Sequence, residues 1–302
     1  MSIDRRTAIR GMLTAGAAGA VSITSSQGRD APQPDPDAYG MLYDTTRCIG
    51  CKACVAACRE ANVETRGNPE TQVFEQGIWD APLGLSGSTK NVIHLHKADE
   101  GSAESYMKRQ CMHCVDPACV SACMIGALHK DENQVVAYDP SKCIGCRYCQ
   151  VACPFQVPGF QYDRAIPLIV KCELCRHRGY PPDGPGPACC EVCPRGAVIF
   201  GKRGELLAEA KQRLQDHPER YVDKVYGEFD AGGTQVLYLS HVPFQDLGLP
   251  KVSDEPVPHV SETLQHGIYQ GMIAPAALFV LLGGAVWRSR RSQTTGEEEE
   301  ES

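Results

Sequence analysis

The chain has 302 residues, 42% hydrophobic and 22% charged, ordinary values for a folded globular protein that exclude a wholly disordered one. Its net charge of −7 argues against a nucleic-acid partner, which would require a basic face, so no nucleic acid is expected. The informative number is 17 cysteines, an odd count gathered in tight groups whose spacing argues for metal over a disulfide framework.

Residues 1–30 read as an export signal. Arg5, Arg6 and Arg10 precede a mild apolar stretch, residues 11–23, too short for a membrane span. The arginine pair resembles a twin-arginine signal, although Ala8 stands where a large apolar residue is usual; a Sec signal or a frayed terminus is the alternative. Chemistry favours the first, because a protein that acquires clusters in the cytoplasm must cross the membrane already folded. Residues 31–39 form a linker with Pro32, Pro34 and Pro36, and a cysteine-rich body follows over 40–201. An insertion between the first two cysteine groups, 59–110, carries Phe74, Trp79 and an alternating stretch, 92–96, that predicts a strand.

An extension spans 202–249. It holds a predicted helix over 205–215, with Leu206, Leu207, Ala210 and Leu214 on one face, and after Gly232-Gly233 a predicted strand over 235–239. Pro250, Pro256 and Pro258 mark a second linker, 250–266. Residues 267–287 are uncharged and, as a helix, span roughly 31 Å, about one hydrocarbon core. A single transmembrane helix is expected there, a buried Gly/Ala-rich helix being the alternative. Arg288, Arg290 and Arg291 place the charged tail, 288–302, in the cytoplasm and the body on the outer side. His266, at the start of this span, reads as an interfacial polar anchor.

Group one is Cys48, Cys51, Cys54 and Cys58, spaced C-x2-C-x2-C-x3-C, and group three repeats it as Cys143, Cys146, Cys149 and Cys153. Group two, Cys111, Cys114, Cys119 and Cys123, widens the middle gap to four residues; group four, Cys172, Cys175, Cys189 and Cys193, widens it to thirteen. Three close cysteines wrap one iron–sulfur cubane while the fourth points at a neighbouring one. Zinc ribbons use two C-x-x-C pairs and have no use for a third close cysteine, so the spacing argues against zinc. The stretches 125–128 and 195–198 occupy equivalent places after groups two and four, each beginning a strand, with 135–138 the returning strand before group three.

A cubane held by four thiolates is net negative and benefits from cations, for which Arg47, Lys142, Lys171, Lys52, Arg147 and Arg176 are candidates. His113, between Cys111 and Cys114, is expected to donate to cluster sulfur, and Cys190 to be a small buried filler beside the ligand Cys189. No catalytic site is expected: the chain has no nucleotide-binding glycine motif, no HExxH helix and no nickel-site cysteine pairs outside the four groups.

The four groups in this order resemble the four-cluster ferredoxin-type subunits of the molybdopterin-oxidoreductase and formate-dehydrogenase class. The segments GMLYD (40–44), KRQCMHCVDPAC (108–119), GCRYCQVACP (145–154), EVCPRGAVIFG (191–201) and GTQVLYL (233–239), with the signal and tail, are similar to the periplasmic electron-transfer subunits of membrane-bound nickel–iron hydrogenase-2. This resemblance implies an α+β fold of two tandem dicluster ferredoxin-like modules with a C-terminal extension and one membrane helix, holding four [4Fe–4S] clusters. It implies that Cys48, Cys51 and Cys54 share a cluster with Cys193, and Cys172, Cys175 and Cys189 with Cys58. Likewise Cys111, Cys114 and Cys119 take Cys153, and Cys143, Cys146 and Cys149 take Cys123. Met124 and Arg59 stand where a proline often follows the fourth cysteine. The implied partners are hydrogenase small and large subunits, or a molybdopterin catalytic subunit, together with an integral membrane quinone-interacting subunit and lipid around the tail helix. A structural anchor merely stapled by clusters is the rival, but it leaves four clusters unexplained where one or two would suffice.

Overall fold

The first strand, β1 (Tyr39–Asp44), is buried from Gly40 onward because it is the centre of a three-stranded sheet, flanked by β8 (Val198–Lys202) and β9 (Val236–Leu239). The computed structural model describes residues 31–62, 83–97, 104–258, 262 and 278–288. β1 runs antiparallel to β8 (Val198–Lys202) and parallel to β9 (Val236–Leu239). Strand periodicity sends Met41 and Tyr43 into the core that also contains many of the cysteines, and Leu42 into a second core beneath α5 (Arg203–Asp216). Gly40 is required here, since a Cβ would overlap the Gln235 carbonyl.

α5 runs slightly beyond the predicted 205–215. Leu206 and Ala210 are buried as expected, while Leu207 and Leu214 are only partly covered. Segment 202–249 thus supplies both α5 and β9 to the compact unit, residues 31–258, that contains the cysteine groups.

The predicted strand at 92–96 is β2 (Val92–His96), which pairs antiparallel with β3 (Ser105–Arg109). α1 (Ala53–Glu60) packs on the short α4 (Ala188–Glu191), and α2 (Ala118–Ser121) packs on α3 (Tyr148–Ala152). β4 (Leu128–Lys130) and β5 (Val136–Tyr138) form a hairpin whose turn is closed by Asp131, which accepts from the Asn133 and Val135 N–H groups. A two-residue pair, β6 (Gly159–Phe160) and β7 (Ile169–Val170), leads back toward group four.

The two halves repeat each other. Leu128 pairs with Tyr138 across β4–β5 as Val198 pairs with Tyr43 across β1–β8. Each tyrosine stands five residues before the first cysteine of its group, and Leu128 and Val198 stand five after Cys123 and Cys193. The architecture is mixed helix and strand in two ferredoxin-type halves.

Residues 278–288, in the chain's other unit, are helical with exposed side chains. Among the described residues no helix is long and apolar enough to cross a membrane. Most of the predicted span 267–287 lies outside the described residues, as do the signal 1–30, Phe74, Trp79 and His266.

Candidate iron–sulfur centres

In all four groups the residue before the second cysteine has positive φ: Gly50 at 68°, His113 at 48°, Gly145 at 71° and Leu174 at 50°. That left-handed residue folds the loop around its first cysteine, so the Gly50 N–H donates to Cys48 Sγ at 3.4 Å and the Leu174 N–H to Cys172 Sγ at 3.4 Å. Gly50 has a second reason to be glycine, because a Cβ would run into the Tyr106 ring. The last cysteines are served from the other side: the Leu128 N–H donates to Cys123 Sγ at 3.4 Å and the Ala197 N–H to Cys193 Sγ at 3.3 Å.

The fold gathers the cysteines crosswise. Cys48, Cys51, Cys54 and Cys193 line a cleft of about 370 Å³, and Cys123, Cys143, Cys146 and Cys149 line its counterpart of about 320 Å³. Cys58 lies in the field of Cys189 and Cys175, and Cys172 in that of Cys58, Cys189 and Cys175. Cys114 lies in that of Cys111, Cys119 and Cys153. These four quartets form a series. Cys54 of the first neighbours Cys189 of the second, the buried Tyr238 lies in the field of both Cys172 of the second and Cys111 of the third, and Cys119 of the third neighbours Cys149 of the fourth. Cys51 and Cys146, in the two end quartets, are exposed, whereas Cys58, Cys172, Cys175 and Cys189 are buried.

Burial raises most of these thiols. It pushes Cys58 up to about 12, helped by Cys189 and Cys175, and Cys54 and Cys149 up to about 11. Four soft sulfur donors around a cleft, met by N–H groups, form a donor set that fits a [4Fe–4S] cluster, whose iron takes the place of the thiol protons. Asn62 adds amide contacts from Nδ2, 3.7 Å from Cys58 Sγ and 3.8 Å from Cys175 Sγ.

Three of the six sequence-predicted cations are engaged by carboxylates. Arg47, Lys142 and Arg176 each pair at 3.5 Å with the carboxylate three residues earlier, Asp44, Asp139 and Glu173. Arg147 lines the fourth cleft and lies over the Phe160 ring, 5.5 Å from its centroid; Lys52 lines the first. Of the six candidates only Lys171 is fully buried, its Nζ donating to the carbonyls of Val136 and Cys172.

His113 is fully buried. Its Nδ1 accepts from the Val136 N–H at 3.1 Å, and burial with Lys171 and Lys130 nearby holds the ring neutral, so its proton sits on Nε2. That Nε2 is buried and faces the backbone of Cys172. Cys190 is half-buried and donates to Cys189. Sequence reasoning overlooked Lys108, which the fold buries completely beside the first two quartets. It overlooked the Tyr-Asp pairs 43–44 and 138–139 as well, though their equal offsets from groups one and three were visible in the residues.

The family model for a 4Fe-4S dicluster domain matches residues 103–203, covering groups two to four, and that for a 4Fe-4S binding domain matches residues 41–61, covering group one. The hydrogenase-2 operon protein HybA of Escherichia coli O157:H7 is 40% identical, over 96% of this chain and 97% of its own length. The formate dehydrogenase iron-sulfur subunit of Haemophilus influenzae is 34% identical over 86% of this chain and 81% of its own. The nitrate-inducible formate dehydrogenase iron-sulfur subunit of Escherichia coli K12 is 34% identical over 80% and 81%. The crosswise quartets and these similarities agree: the chain belongs to the 4Fe-4S iron–sulfur protein family that contains HybA and the formate dehydrogenase iron-sulfur subunits.

Proposed function

We propose that this chain is the electron-transfer subunit of a hydrogenase complex, relaying electrons through four [4Fe–4S] clusters and carrying no catalytic site of its own. The observation that carries the proposal is the series of four cysteine quartets, with an exposed cysteine in each end quartet and buried cysteines between. When bound, such clusters supply one-electron chemistry over a wide range of potentials. The protein's part is to hold them in order, exclude water from the middle of the series and offset their charge with N–H groups and ammonium side chains. The ligands are the sixteen cysteines of the four groups, leaving Cys190 outside.

In this reading electrons arrive from a hydrogenase small subunit paired with its large subunit and leave toward an integral membrane subunit that reduces quinone. The name of the relative at 40% identity favours hydrogenase, and the formate dehydrogenase relatives keep a molybdopterin catalytic partner as the alternative. Anaerobic purification from solubilised membranes is expected to bring down a hydrogenase small and large subunit, and this chain separated from them should carry roughly 16 irons. A co-purifying molybdopterin subunit would favour the alternative. Zinc, or iron for two clusters or fewer, would sink the four-cluster assignment.

In the same reading the body lies on the periplasmic face of the inner membrane with the span 267–287 in lipid, which the arginine pair at the N-terminus and the uncharged character of that span support. Changing Arg5 and Arg6 together to lysine should leave folded, cluster-loaded protein in the cytoplasm, and ending the chain before His266 should release the body from the membrane fraction. Fractionation reads both. Normal periplasmic delivery of the lysine variant would count against the twin-arginine signal.

A further inference from the structure

Lys108 lies on β3, three residues before the first cysteine of group two, yet it faces a different part of the molecule. Its side chain is fully buried, and its Nζ has no hydrogen-bond partner among the described residues. Neighbouring lysines are differently placed: Lys171 Nζ bonds two carbonyls, and Lys90 Nζ donates to Asn62 Oδ1 at 3.1 Å. Leaving an ammonium group buried and unpaired is expensive, so its placement points to an anion it serves.

The groups around it identify that anion. Lys108 feels Cys54, from the first quartet, and Cys189, Cys58 and Cys172, from the second. Bound to iron, these thiolates would give each cluster the net negative charge that a buried ammonium group needs. Its own carbonyl accepts from the Tyr238 hydroxyl at 3.0 Å, which anchors the strand at this point. Arg109, next along, is turned away and donates to the carbonyls of Gly248 and Phe155.

We propose that Lys108 is a positioning cation shared by the two clusters of the first module, stabilising the electron on either one. This rests on the four-cluster reading above. A fixed positive charge beside both clusters favours their reduced, more negative forms and moderates the repulsion between neighbours that are reduced together. The two clusters of the second module lie beyond it and should be indifferent.

The experiment is a redox titration of the intact, cluster-loaded chain followed by electron paramagnetic resonance, with iron measured on the same samples. Parental iron content tests the four-cluster reading; the potentials of the variants test the inference. In Lys108→Met, all four clusters are expected to remain. At a fixed poise the reduced-to-oxidised ratio of two of them should fall at least tenfold, equal to about 59 mV for one electron. Lys108→Arg should restore both to within tenfold of the parent. Unchanged potentials in Lys108→Met, or an equal fall in all four clusters, would overturn the proposal. Should Lys108→Met and Lys108→Gln both lose iron, Lys108→Arg decides: retention of four clusters supports a role for the charge, and loss overturns it.

Discussion

Cys189→Ser is expected to cost one cluster, read as a loss of about four irons per chain or of about one if a three-iron form survives. The adjacent Cys190→Ser should keep all four. Cys189 is buried on α4 among Cys58, Cys172 and Cys175, whereas Cys190, the next residue round the helix, is half-buried. A serine hydroxyl is a hard, weakly acidic replacement for a soft thiolate, so the iron at that corner is lost first. Hydrogen-to-quinone electron flow should then fall steeply, because the second quartet is internal to the series and no parallel path bypasses it in this reading. Cys190→Ser exchanges one donor for another beside Cys189 and should cost on the order of 1 kcal/mol. Resonance spectra of the two reduced variants decide. Cluster loss in Cys190→Ser but not in Cys189→Ser would refute the ligand assignment of group four.

Asp44→Ala should produce the largest loss of stability among changes outside the cysteines, on the order of 3 to 5 kcal/mol. Asp44 is fully buried at the end of β1, where its Oδ2 accepts from Arg213 Nη1 at 3.0 Å and from the Tyr221 hydroxyl at 2.8 Å. Its Oδ1 accepts from the Thr46 N–H at 2.9 Å and the Thr46 hydroxyl at 2.6 Å, shaping the turn that leads into Cys48. The substitution strands the largely buried Arg213 guanidinium with only the half-exposed Glu209 as a charged partner. It also loosens the loop of group one. For a unit of this size the apparent melting temperature of the loaded protein should drop on the order of 10 °C at a fixed scan rate. Asp139 is the useful control. It makes the same turn contacts to Ser141 and pairs with Lys142, but it is more exposed and ties down no helix. Asp139→Ala should therefore shift melting far less, and equal shifts would show that the turn rather than the buried pair carries the effect.

The difference between these two aspartates shows what could be read without coordinates. Both sit in a similar local pattern: Tyr-Asp, one variable residue (Thr45 or Pro140), a hydroxyl residue, a cation and Cys-Ile-Gly-Cys. Both aspartates have a hydroxyl residue two positions on and a cation three positions on, so this pattern does not say which aspartate is buried. That depends on α5, which returns to β1 from more than 150 residues later and brings Arg213 with it. Three of the six candidate cations are drawn off for a related reason. Arg47, Lys142 and Arg176 adjoin cysteines in the chain, yet each has a carboxylate three residues earlier, within easy reach, that holds it at 3.5 Å. Lys108 is adjacent to no cysteine and is placed by the β2–β3 pairing, which no local pattern encodes.

Cysteine spacing, the repeat of the two halves and the short strands after groups two and four were determined by the sequence itself, because a loop wrapped on one sulfur cage is a contact among residues a few positions apart. The positive-φ position before each second cysteine is a property of the same loops, although only two of the four carry the glycine that would announce it. The order of the quartets, the choice of buried cation and the unequal fate of the two aspartates were decided only by the tertiary structure. Each of these depends on the desolvation and field of groups distant in the chain, and such fields act through space across a packed core rather than along the backbone.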